Sequence, residues 1–209
     1  MTTLVLIAKE TIPGRVKTRL HPHLTMEEAA LIADAAIADT LDALSALRPT
    51  RRVLLFDGRQ APPGFDDWEI MPQVEGGLDE RLGAMFDACD GPTVLIGMDT
   101  PQVSPEDLAP VMEPWPDGVD AWFGPANDGG FWALAMAEPD GDMVRGVPMS
   151  RSDTGAHQLL RLESRGLGVR MLPALVDADT IDDAREIAVV APFTRFAGAL
   201  RAFDRVPVH

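Results

Sequence analysis

Strand-length apolar runs alternate with helix-like stretches along most of this chain, and that alternation limits the fold more than any other feature. "TLVLIA" (3–8), "RVLLFD" (52–57), "TVLIGMD" (93–99), "VDAWFG" (119–124), "FWALAM" (131–136) and "GVRMLP" (168–173) are the apolar runs. Runs of this length without regular polar alternation read as strands buried on both faces. Amphipathic stretches lie at 79–89, 104–112, 152–166 and 182–190. The clearest begins at Thr25, where Thr25 and Glu28 have the spacing of a capping box, and it carries Leu31, Ala35, Ala38, Leu41 and Leu44 on one predicted face.

A β-α order of this kind predicts an α/β fold with a mixed, mostly parallel sheet and helices on both faces. Only "PANDGG" separates the fourth and fifth apolar runs. That is too short for a parallel crossover, so an antiparallel strand or a sharp turn is expected there. "QAPPGFDD" (60–67) and "EPWPDG" (113–118) read as Pro-rich loops rather than linkers, and one domain over residues 1–209 is expected.

Composition narrows the partners. At 46% hydrophobic residues the chain has material for a real core. A formal net charge of -15 opposes nucleic acid and anionic membrane surfaces through long-range repulsion. It does not exclude an anionic small molecule, which responds to the local field of a cleft. Cys89 is the single cysteine and can form no internal disulfide; no Cys/His cluster has zinc-ligand spacing. His21, His23, His157 and His209 form no usable pattern. "LVLIA" is too short for a signal peptide and lacks a basic leader, and no uncharged apolar run approaches the ~20 residues that span a bilayer. A cytoplasmic protein without a membrane span is expected.

Ligands of open α/β sheets sit beyond the carboxyl ends of the strands, and three polar clusters fall there. The first is "IAKETIPGRVKTRL" (7–20), which holds Lys9, Arg15, Lys17 and Arg19. Of 18 lysines and arginines, Lys9 and Lys17 are the two lysines. Gly14 permits close backbone approach, and the cations can donate to phosphate oxygens; the competing reading is a solvated basic loop. The stretch has neither Walker nor Rossmann glycine spacing. The second cluster is "IGMDTP" (96–101), where Asp99 leaves a buried strand and can face a divalent ion. Ser104 with Asp107 is the better helix cap, which leaves Asp99 without that duty. The third is "GPANDGGFW" (124–132), where Asp128, Gly129 and Gly130 form either a ligand-hugging turn or a plain one. Further on, "DADTIDDA" (177–184) sets Asp177 and Asp179 on alternate residues before a helix, and two carboxylates side by side want a cation. No nucleophile elbow is present, so nucleophilic catalysis is unsupported.

Taken in order, "AKETIPGRVKTRL", "GGLDERLGAMFDA", "IGMDTPQVSPEDL", "GPANDGGFWALA" and "LVDADTIDDA" resemble a family of bacterial glycosyltransferase A-like proteins, the radical-SAM/selenodomain-associated transferases. Phospholactate and molybdenum-cofactor guanylyltransferases are similar at a greater distance. The resemblance spans about residues 3–185 and implies a nucleotide-diphospho-sugar transferase fold. By that resemblance, Ala8, Lys9, Gly14, Arg15, Lys17, Arg19 and Gly97 would bind the nucleotide and its phosphates. Lys17, Arg19 and Asp99 would be catalytic, and Asp99, Asp177 and Asp179 would hold Mg²⁺ or Mn²⁺. Asp128, Gly129 and Gly130 would meet the acceptor.

The implied activity is metal-dependent transfer from a nucleoside diphosphate-sugar to a small-molecule acceptor. The alternatives are nucleotidyl transfer with pyrophosphate release, or nucleotide binding without turnover. A homo-oligomer is compatible with all three. The chain departs from the family pattern at Phe131 and Trp132, where a Tyr is usual, and at Met149-Ser150-Arg151, where Trp-Ser-Thr is common. Both departures fall on the implied acceptor side.

Overall fold

The computed structural model describes residues 2–204; His209 lies outside the described residues. Seven strands form one sheet in the order β3-β2-β1-β4-β6-β5-β7. They are β1 (Thr3–Lys9), β2 (Arg51–Asp57), β3 (Glu69–Pro72), β4 (Thr93–Gly97), β5 (Ala121–Pro125), β6 (Phe131–Met136) and β7 (Val169–Met171). The helices are α1 (Met26–Ser45), α2 (Leu78–Asp87), α3 (Pro105–Met112), α4 (Thr154–Ser164), α5 (Ile181–Val190) and α6 (Arg195–Phe203). All strand pairings are parallel except those of β6, which runs antiparallel to both β4 and β5. The short "PANDGG" link thus makes the predicted antiparallel reversal.

Alternation along the strands divides the core. Leu4, Leu6, Leu54, Phe56, Val94 and Ile96 face one side with α1 and α3. Val5, Val53, Leu55, Leu95 and Leu134 face the other with α2 and α4. Burying each such side chain stabilises the fold by about 1.5–3 kcal/mol. Because strand side chains point alternately up and down, a strand covered on both faces must be apolar at every position, which is what the runs of β1, β2, β4, β5 and β6 display. The run at 168–173 departs, since β7 is an edge strand paired with β5 alone and Arg170 and Met171 are exposed.

Three expectations are corrected. Leu31 is 52% exposed, so the predicted face of α1 is misplaced. Helix α1 buries two sides: Ala30, Ala33, Ile37 and Leu44 on the sheet, and Ala29, Ile32 and Ala36 against α5 and α6. A helix clamped between two layers has no single stripe, and its alanines let both layers approach. Helix α6 is an element that the apolar pattern did not announce; only Phe196, Ala197 and Leu200 of it are buried. Strand β3 also escaped, because as an edge strand it pairs with β2 alone and is largely exposed. Such a strand needs no apolar run, and its Pro72 suits an edge.

The caps behave as predicted. Thr25 and Glu28 close a full capping box on α1, as do Ser104 and Asp107 on α3. No helix among the described residues is long and apolar enough to cross a membrane.

Candidate active site

A cleft of about 590 Å³ opens at the carboxyl ends of β1, β2 and β4, a size suited to a small ligand. One wall comes from the sheet. Ala8 and Lys9 end β1, Asp57 ends β2, and Gly97, Met98 and Asp99 leave β4; all line the cleft. The opposite wall holds Asp128 and Gly130 from the β5–β6 turn and Met149–Ser152 from the loop before α4. Asp177 and Asp179 complete it ahead of α5, and Arg19 reaches in from the first loop.

The floor is an acidic cluster around one buried cation. Lys17 Nζ lies 2.5 Å from Asp99 Oδ1 and 3.5 Å from Asp179 Oδ1, with its side chain 4% exposed. Arg19 Nη1 meets Asp179 Oδ2 at 3.0 Å. Backbone hydrogen bonds fix the carboxylates. Ala178 N–H donates to the Asp99 carbonyl at 2.9 Å, and Asn127 N–H to the Leu175 carbonyl at 3.0 Å. Asp177 N–H donates to Asn127 Oδ1 at 2.9 Å. The strand end at Asp99, the β5–β6 turn and the 175–179 segment are thereby stitched together.

Electrostatics follow from this packing. Burial pushes the Asp177 carboxyl up to about 7, and the neighbouring charge of Asp99 adds to the effect, while Lys17 opposes it. Burial works against the Lys17 ammonium, but Asp99, then Asp179 and Asp177, outweigh burial and raise it above its ordinary value. Carboxylates crowd this spot: Asp99, Asp128 and Asp179 all disfavour charge on Asp177, and Asp99, Asp177 and Asp179 surround Lys17.

The donor set is all oxygen, which fits a hard divalent ion such as Mg²⁺ or Mn²⁺. No group of three or more His, Cys, Asp or Glu among the described residues is arranged to hold an ion. The fit is therefore to an ion held by one or two carboxylates together with ligand phosphates, the usual mode for Mg²⁺.

The turn at 128–130 satisfies both of its sequence readings. Asp128 Oδ1 accepts from Gly130 N–H at 2.8 Å, an Asx-type turn, and Asp128 still lines the cleft. Gly129 has φ 87°, and a Cβ there would stand 1.9 Å from the Ser152 carbonyl oxygen. Gly155 N–H donates to the Gly129 carbonyl at 2.8 Å. A side chain at 129 would thus push the turn off the loop that forms the opposite wall.

The structure gathers Ala8, Lys9, Arg19, Gly97, Asp99, Asp128, Gly130, Asp177 and Asp179 on the cleft. It does not bring Gly14 or Arg15 there; both are exposed and absent from the lining. The two lysines, both expected at the phosphates, part ways. Lys9 lines the cleft, whereas the Lys17 ammonium is turned inward against carboxylates.

A network that sequence reasoning missed borders the cleft on the β2 side. Gln73 Nε2 donates to the Ala8 and Leu55 carbonyls, each at 3.2 Å. Arg81 Nη1 donates to Gln73 Oε1 at 3.0 Å and to Asp57 Oδ2 at 3.3 Å. Arg81 stood inside the motif "GGLDERLGAMFDA", which was the available signal. Phe131, Trp132, Met149, Ser150 and Arg151, where the chain departs from the family pattern, all line the cleft.

Solved structures share this fold. A protein of Desulfovibrio desulfuricans G20, provisionally named a nucleotide-diphospho-sugar transferase, is 24% identical, with a TM-score of 0.80 over 96% of this chain and 94% of that one. A nucleotidyl transferase from Methanothermobacter thermautotrophicus is 18% identical, with a TM-score of 0.58 over 97% and 99% of the two chains. Glucosyl-3-phosphoglycerate synthase from Mycobacterium tuberculosis, solved with Mn²⁺, uridine diphosphate and glucosyl-3-phosphoglycerate, is 12% identical, with a TM-score of 0.54 over 99% and 80%. No curated protein matches the sequence. Residues 34–151, more than half of the chain, match the family model described as "Uncharacterized protein conserved in bacteria (DUF2064)", and the chain belongs to that family.

Proposed function

We propose that the protein is a divalent-cation-dependent transferase that takes a nucleoside diphosphate-sugar as donor and passes the sugar to a small-molecule acceptor. The observation that carries this is the convergence of Asp99, Asp128, Asp177 and Asp179 on a cleft at the strand ends, beside Lys9 and Arg19. Carboxylates and cations lining one cavity together suit a diphosphate accompanied by a metal ion. The structural relatives that bind nucleotides support the same assignment. The radical-SAM-associated subtype rests on the sequence motifs.

One or two of Asp99, Asp177 and Asp179 would hold Mg²⁺ or Mn²⁺ together with the ligand's phosphates, and the ion when bound would neutralise diphosphate charge. Lys9 and Arg19 donate to phosphate oxygens from the chain itself, because both line the cleft, Arg19 with Asp179 as its ion-pair partner and Lys9 with none among the described residues. Such donors stabilise charge that grows on a leaving diphosphate. Gly97, without a side chain, leaves room for the nucleotide beside Ala8. Asp57, Gln73 and Arg81 present acceptors and donors for the base. Asp128 and Gly130, with Met149–Ser152 beside them on the same wall, orient the acceptor.

A second reading is nucleotidyl transfer from a nucleoside triphosphate with pyrophosphate release. It is favoured by length: the nucleotidyl transferase relative is matched over 99% of its chain, whereas the glucosyl synthase is matched over 80%.

A thermal-shift panel of nucleotides and sugar nucleotides, each with and without Mn²⁺, tests the assignment. A ligand at about 100 times its Kd adds about 2.7 kcal/mol. A Mn²⁺-dependent shift with a sugar nucleotide is expected, and a shift confined to triphosphates selects the second reading. The absence of any shift across the panel overturns both.

A further inference from the structure

Lys17 is placed by the fold with unusual insistence. Its φ of 47° lies in the left-handed region, which non-glycine residues rarely occupy. Val16 and Leu20 on either side are 1% and 0% exposed, and these anchors turn the Lys17 side chain inward. Such conformations persist where surrounding structure over-determines them, and they gather at functional sites. The chain otherwise uses arginine almost throughout, yet a compact ammonium stands here.

The contacts of the ammonium decide its role. It engages Asp99 Oδ1 and Asp179 Oδ1, its side chain is 4% exposed, and it is not part of the cleft lining. A phosphate donor must reach the cleft, and this group does not. Asp179 Oδ2 is engaged as well, by Arg19. Each of the two carboxylates closest to the ammonium therefore has at least one oxygen committed to a cation. That accounts for a cluster rich in acids in which no three-residue group is arranged to hold an ion among the described residues.

We infer that Lys17 is a resident cation of the acidic cluster: it keeps Asp99 and Asp179 assembled while preventing the empty cluster from capturing a divalent ion unaided. A divalent ion then finds enough oxygen ligands only when phosphates supply the remainder, so it enters together with the nucleotide. This inference rests on the metal-dependent reading above. It makes Lys17 a positioning residue that acts on substrate through Asp99, in place of a direct phosphate ligand.

The test is Mn²⁺ alone, without nucleotide, titrated into the wild-type protein, Lys17→Gln and Lys17→Arg, with free Mn²⁺ read by electron paramagnetic resonance. Removing a unit charge a few ångströms from the ion raises Mn²⁺ affinity in Lys17→Gln by about tenfold or more, whereas Lys17→Arg, which keeps the charge, stays near wild type. Lys17→Gln also melts at lower temperature in chelator and recovers more than wild type on addition of Mn²⁺. Lower melting with unchanged Mn²⁺ affinity would leave Lys17 a structural ion-pair partner and overturn the inference alone. Failure of the wild-type protein and both variants to take up Mn²⁺, alone or with uridine or guanosine diphosphate, overturns the metal reading and the inference with it. If Lys17→Gln does not fold in chelator, refolding restored by Mn²⁺ supports the inference, and refolding indifferent to Mn²⁺ overturns it.

Discussion

Two charged networks face the same cleft from opposite sides of β1. On the β4 side, Asp99, Asp177 and Asp179 surround the buried ammonium of Lys17. On the β2 side, Asp57, Gln73 and Arg81 form a chain of hydrogen bonds with Arg81 31% and Asp57 49% exposed. The second network is satisfied and wet: its charges pair one to one, and water screens them. The first is crowded: acids outnumber the cation, and the Asp177 carboxyl is driven up to about 7 by burial and by Asp99. Charge balance of this kind costs stability in the empty protein and makes sense where a ligand completes it. The contrast separates a crowded, half-buried acidic cluster from a screened polar rim.

The largest difference should appear when the same chemical change is made in both networks. Asp99→Asn removes the 2.5 Å partner of a buried ammonium. Breaking a buried pair leaves an uncompensated charge and costs about 3–5 kcal/mol; the low end applies here because Asp179 remains. Urea unfolding of the metal-free variant should show this as a lower midpoint with an unchanged slope. Loss below about 1 kcal/mol would mean that the pair is screened like a surface one and would erase the contrast.

A smaller effect of opposite sign is expected at Asp177. Its carboxyl has a pKa of 3.8 ordinarily and about 7 in the fold. A carboxyl whose folded value is raised holds its proton longer in the folded state. The contribution of Asp177 to stability is therefore greatest below pH 4, falls as pH rises through the window from 3.8 to about 7, and is flat above it. Asp177→Asn carries no charge to bury. In chelator at pH 8 it should be more stable than wild type by on the order of 1–2 kcal/mol, allowing for the half-open position of the carboxyl, and equal to it below pH 4. Melting curves at both values check this. A variant less stable than wild type at pH 8 would show that the Asp177 charge is welcome in the empty protein.

The same contrast explains what could be read in the sequence. Strands covered on both faces announce themselves as apolar runs, so β1, β2, β4, β5 and β6 were legible within a few residues. Edge strand β3 and the thin helix α6 carry no such requirement and left little trace. The face of α1 was misjudged because burial on two sides erases a stripe. At the site, Asp99 and the Asp128-Gly129-Gly130 turn were visible because strand ends and paired glycines have positional meaning. Lysine geometry was not visible: whether a loop cation faces a cleft or a neighbouring carboxylate depends on backbone angles such as the left-handed φ at Lys17. Gln73 and Arg81 come from different elements than Ala8 and Asp57, and only the fold brings the four together.

The smallest stability effect belongs to the rim, and it is informative for that reason. Asp57→Asn weakens a 3.3 Å contact to an arginine that also donates to Gln73 and, through Nε, to the Gly76 carbonyl at 3.1 Å. With Arg81 still held from two directions and water at hand, unfolding free energy should change by no more than about 0.5 kcal/mol. Ligand binding should respond far more, because a carboxylate accepts from two adjacent N–H groups of a base, whereas an amide presents one acceptor and one donor. Mismatched polar groups in a recognition site cost about 1–3 kcal/mol, so the Mn²⁺-dependent thermal shift given by the best nucleotide of the panel should shrink while the unliganded melting temperature holds. Equal shifts for wild type and variant would remove Asp57 from base recognition and leave the β2-side network a purely structural clasp.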